Sequence, residues 1–229
     1  IEIEDTVADG IVSLPRPDGT DGFALYGVGE GDFSGRSVSS AGDVNGDGFD
    51  DLIIGAQHAD PNGKFSAGES YVVFGGPGVG ASGFVELSSL NGSNGFVLKG
   101  IDQQDYSGFS VSSAGDVNGD GIDDLIVGAF GADPDGKYGA GETYVVFGGQ
   151  NFGASFELYR LANGDGSKGF VLKGIDQEDA SGRSVSSAGD VNGDGIDDLI
   201  IGAFDADPDG RYSAGETYVV FGGSDITGG

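Results

Sequence analysis

Short apolar runs alternate with glycine-rich polar segments along the whole chain. Each run has about five residues, as in Leu52–Ala56 and Tyr71–Phe74, and is bounded by the Gly, Asp, Asn and Pro residues that are typical of turns. No segment has the three-to-four-residue apolar spacing of an amphipathic helix. The pattern therefore predicts an all-β protein that is built from short strands.

A long internal repeat organises these strands. The segments Gly22–Gly76, Gly95–Gly149 and Gly169–Gly223 align without gaps over 55 residues, and each contains four or five predicted strands. Repeats of this size predict stacked or radially arranged units, and four short antiparallel strands per unit are typical of a β-propeller blade. We divide the chain into a lead-in with a partial repeat at 1–21 and three repeats at 22–94, 95–168 and 169–229, the last without its outer strand.

One nine-residue motif occurs once in each repeat. It reads Asp-Val-Asn-Gly-Asp-Gly-x-Asp-Asp and begins at Asp43, Asp116 and Asp190. Positions 1, 3, 5 and 9 carry oxygen-bearing side chains, and the glycines at positions 4 and 6 let the chain curl tightly. Carboxylates about 4–5 Å apart would repel by about 3–4 kcal/mol per pair at an effective dielectric constant of about 20, and calcium prefers oxygen ligands. The motif therefore predicts three calcium-binding loops.

The first half of the motif also matches the start of an EF-hand loop. An EF-hand requires a bidentate Glu at position 12 and a helix on each side. Position 12 here is Ile54, Val127 or Ile201, and a strand-type apolar run follows the motif. We therefore expect each loop to join two strands of a hairpin. A solvated Asp/Asn/Gly turn is the alternative for a single copy, and the threefold repetition argues against it.

The shared core Ser-Val…Asp-x-Asn-x-Asp-Gly-x-x-Asp-Leu-Ile…Gly-Ala resembles the FG-GAP repeat of integrin α-chain β-propellers and of their bacterial extracellular relatives. The resemblance extends from Gly22 to Gly223 and implies that each loop joins the first two strands of a blade. It also implies about three Ca²⁺ ions per chain. The implied ligands, with the backbone carbonyl at position 7, are Asp43, Asn45, Asp47, Phe49 and Asp51, then Asp116, Asn118, Asp120, Ile122 and Asp124, and finally Asp190, Asn192, Asp194, Ile196 and Asp198. Integrin propellers have more repeats than the three found here.

The acidic composition limits the partners of the chain. Asp and Glu number 38 against 10 Lys and Arg, which gives a formal charge of -28. Such a charge argues against nucleic acids and anionic membranes as partners, and no apolar run has the length needed for membrane insertion. Cys is absent, so bound calcium rather than disulfides would stabilise the fold. The start at Ile1, without a signal peptide, suggests a processed or excised chain.

The other polar and aromatic positions have simpler interpretations. The Asp-Pro-x-Gly segments at Asp60, Asp133 and Asp207 are expected to form type I turns, with a further cation site as the alternative. Aromatic residues that recur in register, such as Tyr71 and Tyr144, are expected to pack between blades rather than to bind a sugar.

No catalytic constellation is evident in the sequence. The chain has no Cys nucleophile, no repeated His and no phosphate-binding Gly-rich loop with a Lys, so we predict that it is not an enzyme. We expect a secreted, extracellular or cell-surface module with a structural or adhesive role. A carbohydrate-binding propeller is the alternative, and a hydrolase or lyase is a weaker one. An extracellular protein or a glycan would then be a further partner.

The predicted repeats leave one strand over at the start and one strand short at the end. By the resemblance, Phe23–Tyr26 is the outer strand of a preceding blade, and no equivalent strand follows the third repeat. Three blades are fewer than the usual four to eight, and open sheet edges favour pairing with another chain. We therefore expect residues 22–27 to pair with a second copy, in a head-to-tail ring or filament, or with further repeats of the same protein.

Overall fold

The computed structural model describes residues 18–149, 151–224 and 226. Residues 1–17 of the predicted lead-in and positions 225 and 227–229 of the third repeat lie outside the described residues. The strands are β1 (Ala24–Tyr26), β2 (Ser37–Gly42), β3 (Asp51–Ala56), β4 (Glu69–Val73), β5 (Phe84–Glu86), β6 (Gly95–Lys99), β7 (Ser110–Gly115), β8 (Asp124–Ala129), β9 (Glu142–Val146), β10 (Ser155–Glu157), β11 (Gly169–Lys173), β12 (Ser181–Gly189), β13 (Asp198–Ala203) and β14 (Glu216–Val220). The helical segments are α1 (Tyr159–Ala162) and single 3₁₀ turns at Pro61–Gly63, Leu87–Ser89, Pro134–Gly136 and Pro208–Gly210.

The strands form three propeller blades and one separate pair. The first blade has the order β10-β6-β4-β3-β2, in which β10 lies parallel to β6 and the other neighbours are antiparallel. The second blade has the order β11-β9-β8-β7, and the third has β12-β13-β14. The strands β1 and β5 pair with each other in parallel. The predicted all-β fold of antiparallel blades is confirmed, with four strands in the second blade, an added parallel strand in the first and three strands in the third. The three blades form no closed ring within the described part of the chain.

The first and second blades each take an outer strand from the next repeat of the sequence. Strand β6 begins the second repeat, yet it pairs with β4 of the first blade, with Val73 opposite Gly95. Strand β11 pairs with β9 in the same register, with Val146 opposite Gly169. The equivalent strand of the first repeat, β1, is therefore not part of the first blade. In the described residues, the third blade ends at β14.

Neighbouring blades pack through apolar side chains. We name the side of a blade that meets the preceding blade its leading face and the opposite side its trailing face. Ile53 on the trailing face of the first blade lies in one buried cluster with Val111 on the leading face of the second. Ile126 and Val185 have the same relation between the second and third blades. Since both faces of an internal blade are buried, its strands are continuous apolar runs rather than alternating ones.

The Asp-Pro-x-Gly segments differ from the predicted type I turn at their third residue. A type I turn needs a negative φ at this position, but Asn62, Asp135 and Asp209 have φ of 56°, 55° and 55°. Asn and Asp tolerate this left-handed conformation better than most residues. The first Asp of the segment connects the turn to the residues that follow it. The Asp60 Oδ1 atom accepts a hydrogen bond from the Ser66 N–H at 2.7 Å. The type I prediction was therefore wrong.

In the part of the chain that the structure describes, no helix has the length and apolar character that a membrane crossing requires.

Candidate metal centre

The three repeated motifs lie at equivalent places in the three blades. Residues 43–50, 116–123 and 190–197 connect β2 to β3, β7 to β8 and β12 to β13, and each of these strand pairs is antiparallel. The loops therefore join the first two strands of each blade, as the resemblance implied. Within the described residues no helix flanks them, so the hairpin prediction is confirmed and the EF-hand alternative is excluded.

The backbone of each loop wraps around its own side-chain oxygens. The two carboxylate oxygens of Asp43 accept hydrogen bonds from the N–H groups of Asp47, at 3.0 Å, and Gly48, at 2.8 Å. The Asn45 Oδ1 atom accepts a second bond from the Asp47 N–H, and the Asp47 Oδ1 atom accepts one from the Phe49 N–H. All four bonds recur in the other two loops. The sequence motif therefore produces three nearly identical loop conformations.

The aspartate at position 9 fixes the loop to the body of the blade. Asp51 is fully buried, and its carboxylate accepts the N–H of Val44 at 3.1 Å and the N–H of Gly75 at 2.8 Å. These bonds tie the start of the loop to the end of the third strand. Asp124 and Asp198 are also fully buried and make the equivalent bonds.

The loop carboxylates carry negative charge that no described basic side chain neutralises. Burial, and then the carboxylates at positions 1 and 5 of the same loop, raise the pKa of Asp51 to about 6 and that of Asp124 to about 7. The ion pairs among the described residues involve none of the loop carboxylates. A bound cation would lower the free energy of this arrangement of charges.

The donor atoms suit a hard divalent cation. In the first loop each hydrogen-bonded oxygen of Asp43 accepts one N–H and keeps a second lone pair, whereas the Oδ1 atoms of Asp116 and Asp190 each accept two. Among the described residues the Phe49 carbonyl oxygen accepts no hydrogen bond. As placed, no three acidic or histidine side chains of the described residues form a metal cluster. The three carboxylates expected in each loop therefore do not form such a cluster as placed, and the Asn45 Nδ2 atom donates to the Asp47 Oδ2 atom at 3.0 Å. The set of fifteen ligands therefore stays a prediction that the chemistry of the donors supports.

The aspartate at position 8 has a role that the sequence did not reveal. The Asp123 Oδ2 atom accepts a hydrogen bond from the N–H of Asp43 in the loop of the preceding blade, at 2.8 Å. Asp197 accepts the N–H of Asp116 in the same way, at 3.1 Å. A carboxylate between two loops thus connects neighbouring blades. The repetition of Asp at a position that needs no ligand was the only sequence signal for this contact.

A second polar feature is a wide acidic cleft. Four tyrosines line it together with carboxylates, and two of the tyrosines, Tyr138 and Tyr212, are strongly exposed. Its lining includes Asp102, Asp105, Tyr106, Asp133, Glu142, Tyr159, Asp179 and Asp207.

Asp105 in this cleft is expected to make the stability of the chain pH-dependent. Burial and then the neighbouring carboxylates of Asp102, Glu142 and Asp133 raise its pKa from the usual 3.8 to about 7. Between these two values the folded chain binds a proton that the unfolded chain has lost, so stability decreases as pH rises through about 7. Asp105→Asn is expected to increase the free energy of unfolding by up to about 4 kcal/mol at pH 8.5, and to change it little at pH 4 or below.

Thermal melts of the wild type and of Asp105→Asn at the two pH values test this prediction. The matched control is Asp32→Asn at the equivalent position of the first repeat. Its Oδ2 atom accepts the Gly29 N–H, as Asp105 accepts the Asp102 N–H, but it is less buried. If Asp105→Asn increased stability equally at both pH values, the pH dependence could not be due to ionisation of Asp105.

The comparisons with known proteins agree with this architecture. The profile of the FG-GAP repeat matches residues 34–73, 107–146 and 181–220, which make up just over half of the chain. Integrin alpha-PS2 of Drosophila melanogaster is 32% identical over 217 residues, covering 91% of this chain and 14% of that protein. Integrin alpha-5 of Xenopus laevis is 28% identical over 225 residues, covering 89% and 19%. A phosphatidylinositol-glycan-specific phospholipase D of Dictyostelium discoideum is 29% identical over 189 residues, covering 81% and 19%.

The matched segments coincide with structural units. Each of them contains the first three strands of one blade and the loop that carries the aspartate motif. The chain spans less than a fifth of the length of each of these three relatives, so the similarity concerns the repeats and not the whole proteins. The chain therefore belongs to the FG-GAP repeat family.

Proposed function

We propose that the chain is a calcium-stabilised structural or adhesive module of the extracellular space or cell surface, and that it is not an enzyme. The observation that carries the proposal is the threefold loop with buried carboxylates that no described basic side chain neutralises. The similarity to integrin alpha chains supports adhesion as the role. The similarity to a phospholipase D does not extend the proposal to catalysis, because no catalytic constellation is evident in this sequence.

Calcium would be held in each loop by the side chains at positions 1, 3, 5 and 9 and by the carbonyl at position 7. In the first loop these are Asp43, Asn45, Asp47, Asp51 and the Phe49 carbonyl. The ion would neutralise the carboxylates and make folding depend on calcium, since the unfolded chain has no preformed site. Three ions per chain would lower the net negative charge by about six units.

Isothermal titration calorimetry tests this assignment. The calcium-free chain is expected to bind about three calcium ions, and Asp47→Ala, Asp120→Ala or Asp194→Ala is expected to remove one site each, because position 5 lies between the other ligands. Asp50→Ala removes the same charge at position 8 and is the matched control, with a smaller expected loss. Equal losses at positions 5 and 8 would count against the ligand assignment.

We also propose that the third blade is completed by strand addition from another propeller segment. Strand β14 ends its sheet in the described residues, and β1 is an outer strand without a blade. The donor would be a second copy of the chain or further repeats of the same protein. Paired edges would remove the row of free backbone groups that an open sheet presents.

Glycan binding is a second candidate function, favoured by the acidic cleft. Exposed tyrosines beside carboxylates provide stacking surfaces and hydrogen-bond acceptors for a sugar. Retention on a glycan array that Tyr138→Ala and Tyr212→Ala abolish would support this role. An array without signal for the calcium-loaded chain would leave the structural role as the better account.

A further inference from the structure

The two blade interfaces inside the chain repeat the same polar contacts. At the first interface, Asp123 accepts the Asp43 N–H, and the Gly149 N–H donates to the Val44 carbonyl at 2.8 Å. At the same interface, the Val111 N–H donates to the Ser37 Oγ atom at 3.0 Å. The second interface has all three contacts, with distances of 3.1, 2.9 and 3.1 Å. A blade of this chain therefore recognises its neighbour through one defined set of groups.

The trailing face of the third blade presents the same contact groups as the trailing faces of the first two blades, but among the described residues no blade packs against it. Val191 is 60% exposed, whereas the equivalent Val44 and Val117 are fully buried against the next blade. Val219 is 47% exposed, whereas its equivalents in the first two blades, Val72 and Val145, are fully buried. In the described residues, the N–H of Asp190, which corresponds to the bonded N–H of Asp43, makes no hydrogen bond.

The leading face of the first blade presents the complementary groups of the same interface. Val38 is 64% exposed, whereas the equivalent residues of the second and third blades, Val111 and Val185, are 4% and 8% exposed. Asp50 is the position-8 aspartate of the first loop, and no described N–H donates to its carboxylate. The outer part of this face is covered, because Leu25 of β1 and Val85 of β5 pack against its buried cluster.

The open strands complement each other in the same way. In the first blade, β6 lies between β4 on one side and the parallel strand β10 on the other. Strand β1 has its parallel neighbour, β5, but its other edge has no strand partner in the described residues. Placing β14 there gives the order β5-β1-β14-β13-β12, which repeats the order of the first blade. The register of the two complete blades would set Val220 opposite Gly22.

We propose that the trailing face of the third blade binds the leading face of the first blade in a second copy of the chain, an inference that rests on the proposed strand addition. The Asp50 carboxylate of one copy accepts the Asp190 N–H of the other. The Gly76 N–H and the Val191 carbonyl form a second contact, and the Val38 N–H and the Ser184 Oγ atom form a third. The occupant is a second copy because both halves of the interface are on this chain and the contact already exists twice within it. Two copies joined at both ends make a ring of six blades, within the usual range.

Sedimentation analysis at tens of micromolar protein, with calcium in excess and salt near about 150 mM, tests the contact. The wild type is expected to have the mass of two chains. Val38→Asp disables only the leading face and Val219→Asp only the trailing face, and both side chains are exposed in the single chain, so folding should be retained. Each variant alone is expected to be monomeric. An equimolar mixture is expected to form a two-chain complex, since it has one intact pair of faces.

Two further variants sharpen the test. Tyr159→Asp introduces the same charge at an outer position that is 49% exposed, and it is expected to keep the wild-type mass. Asp50→Ala is expected to weaken association by at least about tenfold, because a charged acceptor is lost. A wild type that stays monomeric, or a mixture that does not associate, would overturn the proposal. A series of larger masses that Val38→Asp and Val219→Asp both abolish would support the contact and overturn the closed ring.

The same samples separate this inference from the calcium function. Val38→Asp and Val219→Asp lie outside the predicted ligand set, so each is expected to bind about three calcium ions in the calorimeter. Monomers that bind calcium would overturn the docking contact and leave the calcium function standing. Chains that associate without binding calcium would support the docking contact and overturn the calcium function.

Discussion

Removal of calcium is expected to lower the melting temperature sharply or to unfold the chain. If each site has a dissociation constant about a hundredfold below the calcium concentration, each bound ion adds about 2.7 kcal/mol to stability, and three ions add about 8 kcal/mol. A typical domain has a net stability of about 5–15 kcal/mol, so this loss would take most of it. The buried carboxylate at position 9 of the first and second loops would then face the negative charges at positions 1 and 5 of its own loop without a counterion.

Thermal melts in excess calcium and in excess EGTA measure this effect. The control is a chain with Asp47→Ala, Asp120→Ala and Asp194→Ala together, whose melting temperature is expected to be low and to respond little to EGTA. The melts should be run at the same protein concentration, since association also stabilises the folded state. A wild-type curve that EGTA leaves unchanged would refute calcium stabilisation.

Gly128→Ala is expected to destabilise the chain far more than Gly202→Ala, the same substitution at the equivalent position of the third blade. A Cβ atom at Gly128 would overlap the backbone carbonyl of Gly182 in the neighbouring blade, which cannot move without separating the two sheets. A Cβ atom at the equivalent Gly202 would meet mainly the Ser184 hydroxyl, which can rotate away. Overpacking of this kind costs about 1–3 kcal/mol or more, which lowers the melting temperature of a chain this size by roughly 3–12 °C.

Calcium-loaded chains at submicromolar concentration, where association is weakest, give the cleanest comparison of the two variants. Gly202→Ala is expected to melt within a few degrees of the wild type. Similar decreases in melting temperature for both variants would mean that the close approach of neighbouring blades does not determine the loss of stability. At higher concentration Gly202→Ala is expected to impair association, because a second copy would bring the carbonyl of Gly35 to the place that Gly182 occupies beside Gly128.

The regular parts of the fold were predictable because each depends on nearby residues. The loop at Asp43 contains its own turn glycines and its own oxygen acceptors, and the strands on either side are short apolar runs. Periodicity therefore determined which segments become strands. That Phe23–Tyr26 is the outer strand of a preceding blade was predictable only from the resemblance to FG-GAP repeats.

The contacts that were missed join residues far apart in the chain. Asp123 bonds to the N–H of Asp43, 80 positions away, and only the packing of two blades brings them together. In the sequence, the adjacent aspartates at positions 8 and 9 look alike. The structure separates them, because Asp51 turns inward and is fully buried while Asp50 remains exposed. The left-handed residue of the Asp-Pro-x-Gly turns was missed because Pro is common at the second position both of type I turns and of type II turns, whose third residue has a positive φ.

The sharing of strands between repeats has a consequence for how such chains grow. The segment that is duplicated in the sequence is not the segment that folds as a sheet, since β6 and β11 each cross from one repeat into the blade before it. A gene that gains or loses one whole repeat therefore always leaves the internal sheets fully paired. Every such change transfers the unpaired edges, unaltered, to the two ends of the array. The number of blades in such an array can therefore change without leaving an internal sheet edge unpaired, provided that the first and last strands still pair with each other.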